Sequence, residues 1–191
     1  MGNKKYTDTI EFDVYYHIFN RGINGQVIFK QKSNYSYFLN KLEYYLFPIA
    51  ELYAYCLIPN HFHLLVRMKS ETEIAKLQNS TSNIPISFLQ KQFSNFFNSY
   101  AQSFNKQENR TGKLFDLPYR RKRISTQQQL ISTVIYIHRN PLKHKLIADF
   151  TNYPFSSYKK ICSQNPKFVK GKEVISWFDD IENFIFTHNQ P

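Results

Sequence analysis

Between Leu52 and Met68 the chain carries two apolar runs separated only by Ile58-Pro59-Asn60. Two runs of strand length around a tight, proline-containing break predict a β-hairpin, because proline there also blocks ladder pairing. Side chains alternate along a strand. His61, His63, Leu65 and Arg67 therefore share one face of the second arm, and Phe62, Leu64 and Val66 share the other. One face needs an apolar layer against it, while the other presents two imidazoles side by side. Imidazoles at that spacing can hold one cation through one ring nitrogen each. Taken alone, a His-x-His pair is more often two ordinary half-buried histidines.

The rest of the chain supplies elements around this hairpin. Val14 to Phe19 is dense in β-branched and aromatic residues and predicts a strand, broken by the turn residues Asn20 to Gly25. His17, inside that strand, reads as a structural residue or a bystander. Ser33 or Asn34 can cap a helix reaching about Phe47, with Phe38, Leu42, Tyr45, Leu46 and Ile49 at helical spacing and Pro48 ending it. Residues 69–84 are polar and predict a mobile loop. After Pro85, Leu89, Phe93, Phe96, Phe97, Tyr100 and Phe104 form a helical stripe for core packing. Ser94, Asn95, Asn98, Ser99 and Gln102 lie off it and could line a nucleic-acid groove. Tyr119 to Ile124 is extended, and Ser125 or Thr126 caps a further helix to about Arg139. Pro141 biases Asn140 away from helical geometry.

Strand, helix, strand-turn-strand, helix, strand, helix is the order of a ferredoxin-like α+β fold with an antiparallel sheet and packed helices. The expected organisation is a loose polar arm over 1–12, a single domain over 13–160, and an extension over 161–191 that is acidic from 173. In that extension Ile175, Trp177, Phe178, Ile181, Phe184 and Ile185 predict one short amphipathic helix, folded back over a basic surface.

The formal charge is +11, which points to a polyanionic partner, most simply nucleic acid. Arg120, Arg121, Lys122 and Arg123 run consecutively, so alternation sends two to each face of an edge or solvent-open strand. Lys106, Arg110 and Lys113 lie just upstream, against only Glu108 and Asp116, and phosphate contact is the expected use. Two cysteines, Cys56 and Cys162, with no CxxC exclude a disulfide scaffold and suit a reducing interior. The first residues lack the apolar run of a signal peptide, and no segment has the apolar length of a membrane span. The expectation is a soluble cytoplasmic protein with no membrane partner.

On a helical wheel, Leu130, Ile131, Val134, Ile135 and Ile137 gather on one face, with His138 among them. Tyr136 falls on the other side with Gln129, Ser132, Thr133 and Asn140. Asn140, four residues on, stacks beside Tyr136 if the helix reaches it. On the wheel alone, Tyr136 is an exposed tyrosine in a chain that has 14 of them.

Five motifs in order change that weighting. They are Tyr16 to Gly22, Pro59-Asn60-His61-Phe62-His63-Leu64-Leu65, and Gly112 to Phe115 with Pro118-Tyr119-Arg120-Arg121. Tyr136-Ile137-His138-Arg139-Asn140-Pro141 and Tyr153-Pro154-Phe155-Ser156-Ser157-Tyr158 complete the set. Together they resemble the single-tyrosine transposases of the HUH nuclease superfamily, and among them the REP-associated tyrosine transposases. Phe155 stands where that family has Trp. The resemblance covers about residues 14–160, and nothing after Lys160 matches.

The resemblance implies a DNA strand transferase or endonuclease that cleaves and rejoins single-stranded DNA at hairpin-containing sites. Tyr136 is its implied nucleophile, forming a 5′-phosphotyrosine and a free 3′-OH. His61, His63 and Asn140 are its implied ligands for one divalent cation, Mg²⁺ or Mn²⁺. Two imidazoles tilt the intrinsic preference to Mn²⁺. Arg110, Lys113, Arg120, Arg121, Lys122, Arg123, Arg139 and Lys143 form the expected DNA-binding set. An inactive or domesticated DNA-binding module of the same fold is the alternative, and a metal-dependent phosphodiesterase using water is a third reading. The resemblance leaves open a monomer or a homodimer, and a tyrosine helix serving its own chain or a partner's.

Overall fold

A computed structural model describes residues 6–81, 83–163 and 168–190. Residues 1–5 of the polar arm and 164–167 of the extension lie outside the described residues. Four strands, β1 (Tyr15–Arg21), β2 (Ala50–Ile58), β3 (His61–Met68) and β4 (Arg120–Ile124), form one antiparallel sheet in the order β2-β3-β1-β4. With α1 (Lys32–Leu46) between β1 and β2 and α3 (Ile86–Gln107) between β3 and β4, this is the ferredoxin-like arrangement. The fold is α+β, as the order of elements predicts.

The hairpin is present, with both histidines on β3. Its turn is tied from outside. The Pro59 carbonyl accepts from Ile28 and Phe29 N–H (2.7 and 2.9 Å), and the Asn60 carbonyl accepts from Gly22 N–H (2.9 Å). Gly22 is required there, since a Cβ would meet the Gln26 carbonyl at 2.2 Å. One sheet face, with Phe62, Leu64, Val66, Tyr16 and Ile18, is sealed by α1 and α3. Phe38 lies 4.9 Å from both Phe62 and Phe96. Each such ring, fully buried, contributes about 1.5–3 kcal/mol. The α3 stripe is buried along the whole set from Leu89 to Phe104 that its periodicity predicts.

Several local expectations are corrected. The N-terminal arm is not loose over its described part. Ile10 is buried, the Tyr16 hydroxyl donates to the Thr9 carbonyl (2.7 Å), and Asp8 N–H donates to the Arg121 carbonyl (3.3 Å). The stretch thus covers the outer edge of β4, as Phe155 to Ser157 covers that of β2. Helix α1 starts after Gln31, with Asn34 Oδ1 accepting from Gln31 N–H (3.0 Å) rather than serving as the cap. The polar stretch 69–84 contains a helix, α2 (Glu71–Leu77). Ser70 accepts from Glu73 N–H (3.1 Å) and Glu73 accepts from Ser70 N–H (2.7 Å), a reciprocal capping box.

Helix α4 (Gln127–Lys143) is capped by Thr126 and runs through Pro141 instead of ending near Arg139. Pro141 sits in the last turn, where the chain closes by His144 N–H to the Asn140 carbonyl (3.0 Å) and Leu146 N–H to the Pro141 carbonyl (2.9 Å). Asn140 keeps helical geometry and is fully buried.

After α5 (Tyr158–Cys162), the tail forms two helices rather than one, α6 (Gly171–Ser176) and α7 (Ile181–Asn189). The tail docks by aromatic packing, not by laying acids over the basic strand. Trp177 stacks on Tyr53 (5.1 Å), and Phe184 stacks on Tyr158 (5.5 Å). A buried polar chain completes the joint. His188 Nδ1 donates to the Phe184 carbonyl (2.7 Å), so its Nε2 accepts from His138 Nδ1 (2.9 Å). His138 Nε2 then accepts from the Ser157 hydroxyl (2.7 Å), whose oxygen accepts from Tyr55 N–H (2.9 Å). Every group in this chain is neutral and satisfied.

Burial pushes His188 down to about 4 and His138 well below its ordinary value. The unfolded chain takes up protons below about pH 6.5 while the folded pair does not. Their contribution is therefore complete above that pH and lost as pH falls towards the folded values. The loss is about 1.4 kcal/mol per pH unit for each such histidine. Thermal unfolding from pH 7 to 5 should show a steep fall in midpoint, and His188→Gln should flatten it. The same slope in parent and variant would contradict this.

Candidate active site

Helix α4 lies on the sheet face opposite α1 and α3, packed chiefly against β2 and reaching β3 through Tyr136 and Asn140. Its inward side is fixed by Val134, Ile137 and His138, all fully buried. Tyr136 lies off that side, 38% exposed, as the wheel predicts, yet it is not directed away from the protein. Its ring stands edge-on to His63 (5.2 Å) and to His17 (5.8 Å). Asn140, one turn on, places Oδ1 3.1 Å from His61 Nε2. The side of α4 that is polar in sequence is thus the side that meets the histidine strand.

His61 and His63 share one face, with rings 5.2 Å apart. His61 Nδ1 is 2.8 Å from Asn60 Oδ1, and in the tautomer with the proton on that nitrogen a lone pair on Nε2 faces the Asn140 oxygen. Two acceptors 3.1 Å apart repel unless a positive centre lies between them. Turning the Asn140 amide over gives one hydrogen bond to His61 and strands its oxygen instead. His63 Nδ1 is 2.9 Å from His17 Nε2, while among the described residues His63 Nε2 is buried without a partner, as is Asn140 Nδ2. Burial, then the charges of neighbouring histidines, holds His63 well below its ordinary pKa. Burial likewise lowers His61 and His17 to about 4. All three rings are neutral at pH 7, and with His63 Nδ1 donating to His17 Nε2 the His63 lone pair lies on Nε2.

These residues fit a divalent cation. The His61 Nε2 and Asn140 Oδ1 atoms lie 3.1 Å apart, and the His63 ring with its orphaned nitrogen stands 5.2 Å from the His61 ring. The 3.1 Å separation is that of neighbouring ligands about 2.1 Å from one octahedral ion. Among the described residues no group of three or more His, Cys, Asp or Glu is placed to hold a metal, so the set depends on Asn140 as third donor.

Sequence reasoning passed over three contributors. His17 is not a bystander, since it meets Nδ1 of His63. Its place follows from β1–β3 register, in which it opposes Leu65, and strand pairing is not written in either strand alone. Asn60 orients His61, and His144 packs its ring 4.6 Å from that of His61.

The predicted cations divide. Arg120 and Lys122 project to the site face and line cavities on either side of Tyr136. Lys143 Nζ lies 5.1 Å over the Tyr136 ring. Arg121 and Arg123 project to the other face and are engaged by the N-terminal arm. Arg121 bonds the Asp8 carbonyl, and Arg123 pairs with Glu11 (2.9 Å). Arg110 turns into its own loop, onto Asn105 and the Lys113 carbonyl. Arg139 bonds the Gln190 carbonyl in the tail. Lys113 is exposed and lines a separate cavity with Asn98 and Gln102, away from Tyr136.

The four-stranded antiparallel sheet with its packed helices matches the fold of a REP-associated tyrosine transposase. A solved structure of such a transposase, bound to a REP hairpin, superposes with a TM-score of 0.61 at 14% identity, covering 85% of this chain and 87% of that one. In sequence, the chain is 26% identical over 112 residues to a Haemophilus influenzae protein provisionally named a REP-associated tyrosine transposase. That match takes in 58% of this chain and 60% of the relative's length. The chain thus resembles REP-associated tyrosine transposases in both sequence and fold. No protein-family profile matches it. No described helix is long and apolar enough to cross a membrane.

Proposed function

We propose that the protein is a DNA strand transferase or endonuclease that cleaves and rejoins single-stranded DNA beside a hairpin, using Tyr136 as nucleophile. The observation that carries this is the juxtaposition of a half-exposed tyrosine, edge-on to His63, with an orphaned imidazole nitrogen and the His61–Asn140 pair. The name of the curated relative and the hairpin bound in the solved transposase support it.

The Tyr136 oxygen attacks phosphorus, and the bond from phosphorus to the 3′ oxygen breaks. The Tyr136 hydroxyl gives up its proton and the departing oxygen takes one up, so the products are a 5′-phosphotyrosine and a 3′ hydroxyl. The phosphodiester becomes another phosphodiester, so the reverse attack by a 3′ hydroxyl rejoins strands without a nucleotide cofactor. A divalent cation, Mn²⁺ or Mg²⁺, held by His61, His63 and Asn140, would polarise the phosphate and offset developing charge. His17 holds the His63 ring, as a partner on the far nitrogen does for metal-binding histidines. Arg120 and Lys143 place positive charge where a phosphate approaches the tyrosine.

Incubation with labelled single-stranded hairpin DNA and Mn²⁺ or Mg²⁺ should give a covalent species whose linkage maps to Tyr136. Tyr136→Phe should bind as the parent does and form none. Free cleaved product without adduct would favour the water-using phosphodiesterase, and a native-gel shift without cleavage the inactive binding module.

The division of cations gives a second test. Arg120→Gln with Lys122→Gln should flatten the salt dependence of single-stranded DNA binding by about 1.4 units of slope, at roughly 0.7 per lost contact. Arg121→Gln with Arg123→Gln should change it less, because those side chains already face carbonyl and carboxylate oxygens. Equal effects of the two pairs would refute the assignment of faces.

A further inference from the structure

Two cavities flank Tyr136, and they share only Phe19, His63 and Tyr136 among their lining residues. The cavity on the His61 side, about 360 Å³, carries Arg21, Arg120 and His144 and suits phosphate. The one on the far side, about 390 Å³, differs in chemistry. Its walls include the aromatic faces of Tyr6 and Phe19, set edge to face at 5.8 Å. Its floor is the polar side of α4: Gln129, Ser132 and Thr133. Among the described residues that line it, Lys122 is the single lysine or arginine.

We infer that this second cavity is a subsite for one unpaired nucleobase, belonging to a nucleotide adjacent to the bond that is cut. The inference rests on the proposed function and names what the same site reads. The volume is that of a small-ligand pocket. An aromatic wall with amide and hydroxyl groups opposite is how an extruded base is held: stacked on its face, bonded along its pairing edge. Gln129 Oε1 is occupied by Ser125 N–H (2.9 Å), and its amide nitrogen makes no hydrogen bond among the described residues. The Thr133 hydroxyl is likewise uncommitted there. Ser132 donates to the Gln129 carbonyl (3.1 Å) and can still accept. The edge thus offers donors and acceptors together. A strand lying across Tyr136 places its phosphate towards His61 and Arg120 and one flanking base in this cavity, with Lys122 beside the backbone that follows.

The test is single-turnover cleavage by the full chain of hairpin oligonucleotides in which each of the two nucleotides bracketing the cut is varied in turn: four bases and an abasic residue. At one of the two positions the abasic substrate should be cut about 5- to 150-fold more slowly than the best base, the range of one lost stacking contact. Gln129→Leu with Thr133→Val should compress the differences among the four bases at that position and leave the abasic rate unchanged. Both residues lie on the outer side of α4, and an unchanged circular dichroism spectrum confirms folding. If the parent cuts all substrates at equal rates, the base subsite is overturned while the proposed function stands. The same follows if the double variant keeps the parent's preference. If the parent cuts no hairpin DNA at all, the proposed function fails and the inference with it.

Discussion

The site depends on the rotational setting of one helix. A helix advances roughly one hundred degrees per residue. Tyr136 and Asn140, four apart, therefore project to nearly the same side, and His138, midway between them, projects to the opposite one. The buried chain from Phe184 through His188 and His138 to Ser157 fixes the far side of α4 by directional bonds, where apolar packing alone would allow it to roll. A roll by one residue would take Tyr136 off His63 and Asn140 off His61. The tail thus bears on the geometry of the candidate site without touching it. Its aromatic residues and His188 hold the helix whose other side completes the site.

Much of this was legible in the sequence because it follows from periodicity. Alternation places His61 and His63 together, helical spacing finds the α3 stripe to the residue, and the wheel sets Tyr136 apart from Val134 and Ile137. What escaped depends on pairing between distant segments. His17 matters only because β1 lies beside β3. The arm from Tyr6 to Glu11 is ordered because Arg121, Arg123 and Tyr16 offer it partners. Asn140 stays helical because Pro141 falls in the last turn, where closure by His144 and Leu146 replaces a continuing ladder. Helix α2 is a different case, for Ser70-x-x-Glu73 is a readable capping signal in a stretch whose polarity concealed it.

Charge is sorted as carefully as hydrophobicity. The net +11 is not spread evenly over one binding face. On β4, alternate residues are assigned either to the arm or to the cavities beside Tyr136, so the four-residue basic run holds a structural pair and a site pair. At the far end of β3, Arg67 sits among Asp13, Glu51 and Glu73 at 3.0–3.1 Å, an ion cluster that closes the strand away from the histidines. Between these, the histidine cluster is kept neutral by burial, the state in which imidazole nitrogens can take a cation.

The central claim is that β3 and α4 of one chain assemble a single divalent-cation site from His61, His63 and Asn140. Pulsed electron paramagnetic resonance of the full chain with one equivalent of Mn²⁺ tests it without DNA or turnover. Couplings from two imidazole nitrogens are predicted, reduced to one in His63→Ala. A spectrum without nitrogen coupling, or one unchanged by His63→Ala, would contradict the account.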